Sequence, residues 1–294
     1  MSAFANILMG GVFHAAVLFL VAAGLQLVFG VQKIINLACG SFYALGAYFG
    51  ITFVGYAESF GVSQWLLLPM LLFAGMLMAV IGPPTERLLR YVYGRDESLQ
   101  LLLTFALVLM FQDVFRFFWG PNPRSLNTGY LIYGTLSSGD FSVPVYNLLV
   151  ILSALLAAIG VGAFLQRTNY GRLLRATAEN RGMAEALGVD VRRIYTLVFT
   201  AGAVLGTIAG ALVVPTAAAS LDMAIEFVIE AFAVVVIGGL GSMRGALFGA
   251  LIVGLIRALS VVFYPEFEVL AIYVIVIAVL LFRPAGLFGA QTAI

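Results

Sequence analysis

Few residues of this chain could do chemistry in an apolar environment, and three of them are charged residues within long apolar stretches. They are Asp113, Arg116 and Arg257. A charge inside a membrane segment needs a partner or water, and such residues often mark functional sites. Asp113 and Arg116 are three residues apart and share a helix face, so we expect them to form an ion pair. Glu230 is a candidate partner for Arg257.

The residue types needed for catalysis or metal binding are nearly missing from the sequence. There is one histidine, His14, and one cysteine, Cys39, so neither a Cys/His metal site nor an internal disulfide is expected. His14 is more simply explained as a satisfied interior group than as a proton relay. The only lysine, Lys33, lacks the preceding glycines of a P-loop, and no HExxH or GxSxG motif occurs. We therefore expect no catalytic residue, metal or cofactor, which disfavours a membrane enzyme.

The elements that must position these residues are membrane helices. The chain has 294 residues, of which 63% are hydrophobic and 10% charged, whereas soluble domains have about 25% charged residues. Several apolar runs reach the roughly 20 residues that a helix needs to cross a bilayer, without the alternation of a β-barrel. We predict an all-α, polytopic transmembrane bundle, one domain over 1–294 with about eight or nine segments. The predicted segments are 8–30, 34–55, 64–82, 99–119, 145–165, 194–214, 227–237, 245–263 and 269–282.

The basic residues predict the orientation, because Lys and Arg favour cytoplasmic loops. The face that includes loop 166–193 carries twelve basic and six acidic residues, and the opposite face carries Arg124 against seven acidic residues. This places the N-terminus outside and the C-terminus in the cytoplasm. The segment 227–237 is short, so the sequence leaves open whether it crosses fully.

The loop 166–193 is the longest polar run and holds six of the fifteen basic residues. One or two short helices are expected between 176 and 187, with Gly188 as the C-cap. A loop that only holds the chain on the cytoplasmic side through its basic residues would explain the arginines. It would not explain the sequence Ala-Glu-Ala-Leu-Gly in the middle of the loop, which consists mostly of small residues. Such a sequence suits insertion into a cleft on a soluble partner.

The loop 120–144 is rich in Gly, Pro, Ser and Asn, which is typical of turns rather than of a helix. Loops of this length often have a role. It is either a solvated cap over the helix ends or part of a docking surface for an external protein.

Two apolar segments are each interrupted by a glycine-marked break that small residues follow, around 40–47 and 245–250. Such a pair of interrupted segments predicts that the chain is built from two related halves. Glycines at four-residue spacing allow close helix contacts, either for packing alone or for sliding during gating. Asn36, Cys39 and Gly40 lie at the first interruption. A buried amide is costly without a partner, so Asn36 either bonds the freed backbone or lines a polar path.

Three blocks in order make the sequence similar to the permease subunits of branched-chain amino-acid ABC importers. They are GLQLVFGVQKIINLACGSFYALGAY (24–48), RATAENRGMAEALGVDVRRIYTLVF (175–199) and VVVIGGLGSMRGALFGALIVGLI (234–256). The resemblance covers nearly the whole chain. The family pattern more often has Asn-Phe-Ala-His-Gly where this chain has Asn-Leu-Ala-Cys-Gly at 36–40, so Cys39 replaces a histidine.

The resemblance implies a permease of the bacterial inner membrane that works without cofactors and binds no nucleic acid. Its partners would be a second, usually different, permease, two cytosolic ATP-binding-cassette ATPases and an external solute-binding protein. The loop 166–193 would couple it to the ATPases, with candidate residues Glu179, Asn180, Ala184, Glu185 and Gly188. The translocation path would include Asn36, Cys39 and Gly40. Related permeases handle urea, short amides or small carboxylates, so the resemblance does not fix the ligand.

An ion- or proton-coupled secondary transporter of a small solute is the alternative. That class usually needs acidic groups deep in the membrane. Asp113 is the only carboxylate within a predicted span, apart from Glu230 near the end of the seventh, which makes the alternative weaker.

Overall fold

A computed structural model of the chain describes residues 2–126, 130–138 and 141–289, and these residues form a helical bundle. This confirms the all-α fold class predicted from the apolar runs. The helices are α1 (Ser2–Gln32), α2 (Cys39–Ser59), α3 (Leu67–Leu77), α4 (Gly82–Leu89), α5 (Glu97–Trp119), α6 (Val145–Arg167), α7 (Asn169–Glu179), α8 (Arg181–Ala186), α9 (Val191–Val213), α10 (Met223–Gly238), α11 (Met243–Phe263) and α12 (Glu268–Phe282).

Six helical stretches of the described chain are long and apolar enough to cross a membrane. They are Asn6–Gln32, Gln64–Val92, Glu97–Trp119, Val145–Arg167, Val191–Val213 and Met243–Phe263. The other three predicted segments correspond to α2, α10 and α12, which fall short of this group in length or hydropathy. The estimate of eight or nine segments is therefore approximate, because these three remain helical but carry a weaker membrane signal.

The stretch Gln64–Val92 stays helical although it contains two adjacent prolines. A 3-10 turn, Met78–Ile81, joins α3 to α4, and Pro83 and Pro84 lie in the first turn of α4. Proline is tolerated there because the first N–H groups of a helix have no partner inside it. The chain thus remains helical beyond residue 82, where the predicted segment ended.

The loop between α5 and α6 contains a short antiparallel hairpin rather than turns alone. Its strands are β1 (Thr135–Ser138) and β2 (Phe141–Pro144), with Thr135 opposite Pro144. An isolated bridge between Arg124 and Ala219 ties the same loop to the segment before α10. The predicted external loop 120–144 is therefore structured in part; residues 127–129 and 139–140 lie outside the described chain.

The bundle centre is formed by α1 and α9, whose most apolar windows are 78% and 67% buried, against 11% for α6. Glycines allow the helix backbones to approach this closely. A Cβ on Gly24 would overlap the carbonyl of Gly202, and one on Gly46 would overlap that of Thr207. Among the glycines at four-residue spacing, Gly46, Gly202 and Gly210 meet the backbone of a neighbouring helix, which requires glycine for so close an approach.

The turn between α10 and α11 is held by one buried side chain of α1. Gln26 is 2% exposed, donates from Nε2 to the Gly239 carbonyl at 2.9 Å, and accepts from the Gly241 N–H at 2.5 Å. Gly239 and Gly241 have φ of 98° and 83°, which favours glycine at both positions. The amide thus satisfies two backbone groups that the turn leaves without helical partners.

Replacing Gln26 by leucine should lower the free energy of unfolding by about 2 kcal/mol, because buried backbone groups lose their partners. Thermal unfolding of the purified protein in detergent would measure this loss. The exposed Gln166, replaced by leucine, serves as the matched control and should leave the midpoint unchanged. Equal midpoints for both variants would contradict the role of Gln26.

Candidate functional site: a surface helical segment and a charged cluster

Residues 168–190 form two short helices, α7 and α8, which polar side chains separate from each other and from α9. The Thr168 hydroxyl accepts from the Gly171 N–H at 3.0 Å and starts α7. The Asn180 side chain accepts from the Met183 N–H at 2.9 Å and starts α8. Such N-caps satisfy N–H groups that the first helical turn leaves free. Asn180 thus breaks the single helix that composition alone would allow.

The C-terminal end of α8 has the glycine cap expected from the sequence. Gly188 has φ of 83°, in the left-handed region that favours glycine. Its N–H donates to the Glu185 carbonyl at 3.0 Å, and the Val189 N–H donates to the Ala184 carbonyl at 3.0 Å. These two bonds form a Schellman motif, so Gly188 fixes the direction in which the chain leaves α8.

The five predicted coupling residues all lie in or beside α8. Ala184 is 3% exposed and packs inward, whereas Glu179, Asn180, Glu185 and Gly188 are exposed. Arg181 and Glu185 form an ion pair at 3.0 Å one turn apart, and that hydrogen bond raises the pKa of Arg181.

Sequence reasoning missed two apolar residues of this segment. Met183 is 59% exposed and Leu187 is 78% exposed, and residues four apart lie on the same side of a helix. Apolar residues at this spacing usually face a core, so only the structure reveals that both side chains project into solvent. Large exposed apolar residues at one place on a polar surface are typical of protein contacts.

A chain of contacts ties α8 to three parts of the bundle. The Arg181 guanidinium lies over the Tyr195 ring of α9, 5.6 Å from its centroid. The Gln32 amide of α1 donates to the Tyr195 carbonyl at 2.8 Å, and the Tyr93 hydroxyl donates to Gln32 Oε1 at 3.2 Å. Burial raises the pKa of Tyr93, which keeps the phenol protonated as a donor. A displacement of α8 would therefore act on α9 directly and on α1 through Tyr195.

The structure buries the residues predicted to line a path. Asn36 is 3% exposed and its Oδ1 accepts from the Ala38 N–H at 3.1 Å. The Asn36 side chain thus bonds backbone at the break between α1 and α2. Cys39 is buried and unpaired, and a Cβ on Gly40 would overlap the Ala224 carbonyl of α10.

A charged cluster joins α1, α10, α11 and α12 in the half of the bundle opposite α8. His14 Nε2 lies 2.8 Å from Glu230 Oε2 and 2.6 Å from Arg257 Nη1, and Arg257 Nη1 lies 3.0 Å from Glu230 Oε1. Arg257 Nε also binds Glu268. The expected pairing of Arg257 with Glu230 is present, and His14 is a satisfied interior group, as proposed. Glu268 had no sequence signal, because nothing in a linear sequence brings the start of α12 beside Arg257.

A cavity of about 240 Å³ adjoins this cluster. His14, Tyr43, Glu230 and Arg257 line it together with Glu226, which is exposed and whose carboxylate has no ion-pair or hydrogen-bond partner within the described ranges. The cluster therefore combines fixed charges with space for water or a small polar solute.

The expected ion pair between Asp113 and Arg116 is wrong for this structure. Neither side chain makes an ion pair with any residue of the described chain, and both are exposed on α5. The three-residue spacing places them on one face, as predicted. Sharing a face therefore does not bring the two charges together as an ion pair.

Comparison with known proteins identifies the family. Residues 7–282 match the family described as branched-chain amino acid transport system, permease component. The permease protein BraD of the high-affinity branched-chain amino acid transport system of Pseudomonas aeruginosa is 27% identical over 279 residues, 92% of this chain and 91% of the relative. No solved structure matches the chain.

Two further relatives carry names from the same kind of transport system. The permease protein LivH of Salmonella typhimurium is 29% identical over 283 residues, 92% of this chain and 90% of the relative. The permease protein LivM of Escherichia coli K12 is 26% identical over 297 residues, 90% of this chain and 66% of the relative. The family match spans all the membrane helices described above. The chain therefore belongs to the family of branched-chain amino acid transport permeases, multi-pass membrane proteins that act in transport and not as enzymes.

Proposed function

We propose that this chain is the transmembrane permease subunit of an ATP-binding-cassette importer of the bacterial inner membrane. It forms the translocation path for branched-chain amino acids or a related small amino acid or amide. Separate ATPase subunits power it. The N-terminus lies outside and the C-terminus in the cytoplasm, in accord with the basic residues around α7 and α8. The observation that carries the proposal is the exposed pair Met183 and Leu187 on α8.

The geometry of α8 suits docking into a cleft on a cytosolic ATPase. Its small residues and its glycine cap make a narrow projection, and Met183 and Leu187 give that projection an apolar side. Burying a leucine contributes about 1.5–3 kcal/mol. The contacts of Arg181 with Tyr195, and of Tyr195 with Gln32, give ATPase movements a connection to α9 and α1.

The other partners are proposed from the relatives and the charge pattern. Escherichia coli has two permeases, LivH and LivM, named for a high-affinity branched-chain amino acid transport system, which supports a different second permease chain here. An external solute-binding protein would dock on the opposite face, where the hairpin β1–β2 lies. The path passes the junction of α1 and α2 at Asn36, Cys39 and Gly40, where helical continuity is interrupted.

A tagged chain purified from native membranes tests this function. Mass identification should find a P-loop ATPase and a second permease with it. Leu187→Asp should reduce the recovered ATPase at least about tenfold, because a loss of 1.4 kcal/mol or more corresponds to that factor. The control is Leu131→Asp at the other end of the bundle, where Leu131 is 60% exposed.

Two results would contradict the proposal. One is a chain that comes out without any ATPase and still moves solute in liposomes under an ion gradient. The other is equal ATPase recovery with the Leu187 and Leu131 variants, which would remove α8 as the docking element. Thermal midpoints of both variants should match the unmodified chain, since the two side chains contact little else.

A further inference from the structure

A groove of about 940 Å³ runs along α9 between α4 and α6. Its walls along the helices are apolar, and they include Val161 and Phe164 of α6 and Leu197 and Val204 of α9. The most apolar window of α6 is only 11% buried, so no other part of the described chain covers this side of the bundle. Apolar walls in that position favour a hydrocarbon occupant.

The end of the groove near α8 is basic instead of apolar. Arg87, Arg90, Arg192 and Arg193 line it, with Asp190 as the one acidic residue among the lining residues. Arg90 is engaged by the buried Glu86 and by Thr196, whose hydroxyl it reaches at 2.9 Å. Arg193 is engaged by Asp190 at 2.9 Å.

Arg87 and Arg192 are different from the other two. Both are exposed, and neither has an ion pair or side-chain hydrogen bond to any residue that the structure describes. The groove therefore ends in two uncompensated guanidinium groups at the boundary between apolar wall and water. A planar guanidinium binds phosphate oxygens in pairs, with well-directed hydrogen bonds.

We propose that this groove is a binding site for an anionic phospholipid of the leaflet on the α8 side. One acyl chain lies against α6 and α9, and the phosphodiester lies between Arg87 and Arg192. Basic pockets between membrane helices are suited to anionic headgroups. The site does not depend on the transported solute or on the ATPase.

Charge complementarity favours a lipid over a second copy of this chain. The same end of a second copy carries the same arginines, and like charges would meet at the rim of the groove. A phospholipid offers one negative charge at the depth of Arg87 and Arg192 and an apolar chain below it. It therefore satisfies both parts of the groove at once.

Native mass spectrometry of the full chain, purified with the subunits it retains, tests this site. The protein is mixed with equal amounts of phosphatidylglycerol and phosphatidylethanolamine that carry identical acyl chains. The unmodified protein should retain phosphatidylglycerol preferentially. With Arg87→Gln and Arg192→Gln combined, the preference should fall about 30-fold, since each surface arginine contributes about fivefold.

Two control variants distinguish the contribution of the arginines, which bind the headgroup, from that of the apolar groove, which binds the acyl chain. Arg95→Gln removes an exposed arginine of the same face that does not line the groove, and it should keep the full preference. Ala201→Trp fills the apolar part and should abolish retention of either lipid while both arginines remain. Inorganic phosphate alone, at millimolar concentration, should not displace the lipid.

An unchanged preference in the double arginine variant would overturn the site. So would a complex in which a partner subunit, crosslinked through the Leu197→Cys variant, occupies the groove in place of lipid. A crosslink can be assigned to the introduced cysteine because Cys39, the one native cysteine, is buried.

Discussion

Gly46→Ala should lower the free energy of unfolding by about 3 kcal/mol and reduce the folded protein recovered from membranes. An alanine Cβ at this position of α2 would overlap the backbone carbonyl of Thr207 in α9. The Thr207 hydroxyl also donates to the Gly75 carbonyl at 2.8 Å, so α9 cannot move away without breaking a contact with α3. Overpacking of a core costs about 1–3 kcal/mol, and a backbone obstacle places the cost at the upper end.

Gly55→Ala in the same helix is the matched control. Gly55 is exposed, and a Cβ there has nothing within 4 Å. The control should be neutral or slightly stabilising, since alanine is favoured over glycine in a helix by about 1 kcal/mol. Midpoints from thermal unfolding in detergent compare the two. A Gly46 variant as stable as the Gly55 variant would show that α2 and α9 are not packed as described.

Arg257→Met should destabilise the protein by about 3 kcal/mol and loosen α12. The substitution leaves Glu230 and Glu268 without their shared guanidinium, in a site where their side chains are 16% and 26% exposed. Removing one partner of a buried ion pair costs about 3–5 kcal/mol, because the remaining charge stays desolvated. The lower value of this range applies, since the Arg257 side chain itself is 30% exposed.

A double-mutant cycle shows whether the charges cause this loss. Glu230→Gln, introduced into the Arg257→Met protein, should restore part of the stability by removing one uncompensated carboxylate. Glu266→Gln is the control, because that carboxylate has no ion pair with the described residues and lies near the same helix end. Strictly additive effects of the Arg257 and Glu230 substitutions would contradict the cluster.

The sequence predicted those features that depend on neighbouring residues. The helix Glu97–Trp119 begins two residues before the predicted start and ends where predicted. Gly188 caps α8 as expected, because a helix followed by glycine specifies this end locally. An apolar run and a cap are both visible over a few residues, so no distant contact is needed to infer them.

The features that the sequence did not predict depend on distant contacts. Gln26 binds the turn at Gly239, 213 residues away, and no periodicity links the two. The exposure of Leu187 depends on what α8 packs against. Asp113 and Arg116 show the opposite case, because their spacing is right for an ion pair and the structure nevertheless contains none between them.

The position of α1 has a consequence for how the protein is made. It leaves the ribosome before α9 and α11, yet it packs closely against both: Gly24 lies on Gly202 and Gly11 on Gly254. Until those helices are inserted, the glycine faces of α1 contact lipid or the insertion machinery. Packing of these faces of α1 must therefore wait until α9 and α11 have been made. A chain truncated before α9 would leave the faces of α1 at Gly11 and Gly24 without the helices that they pack against.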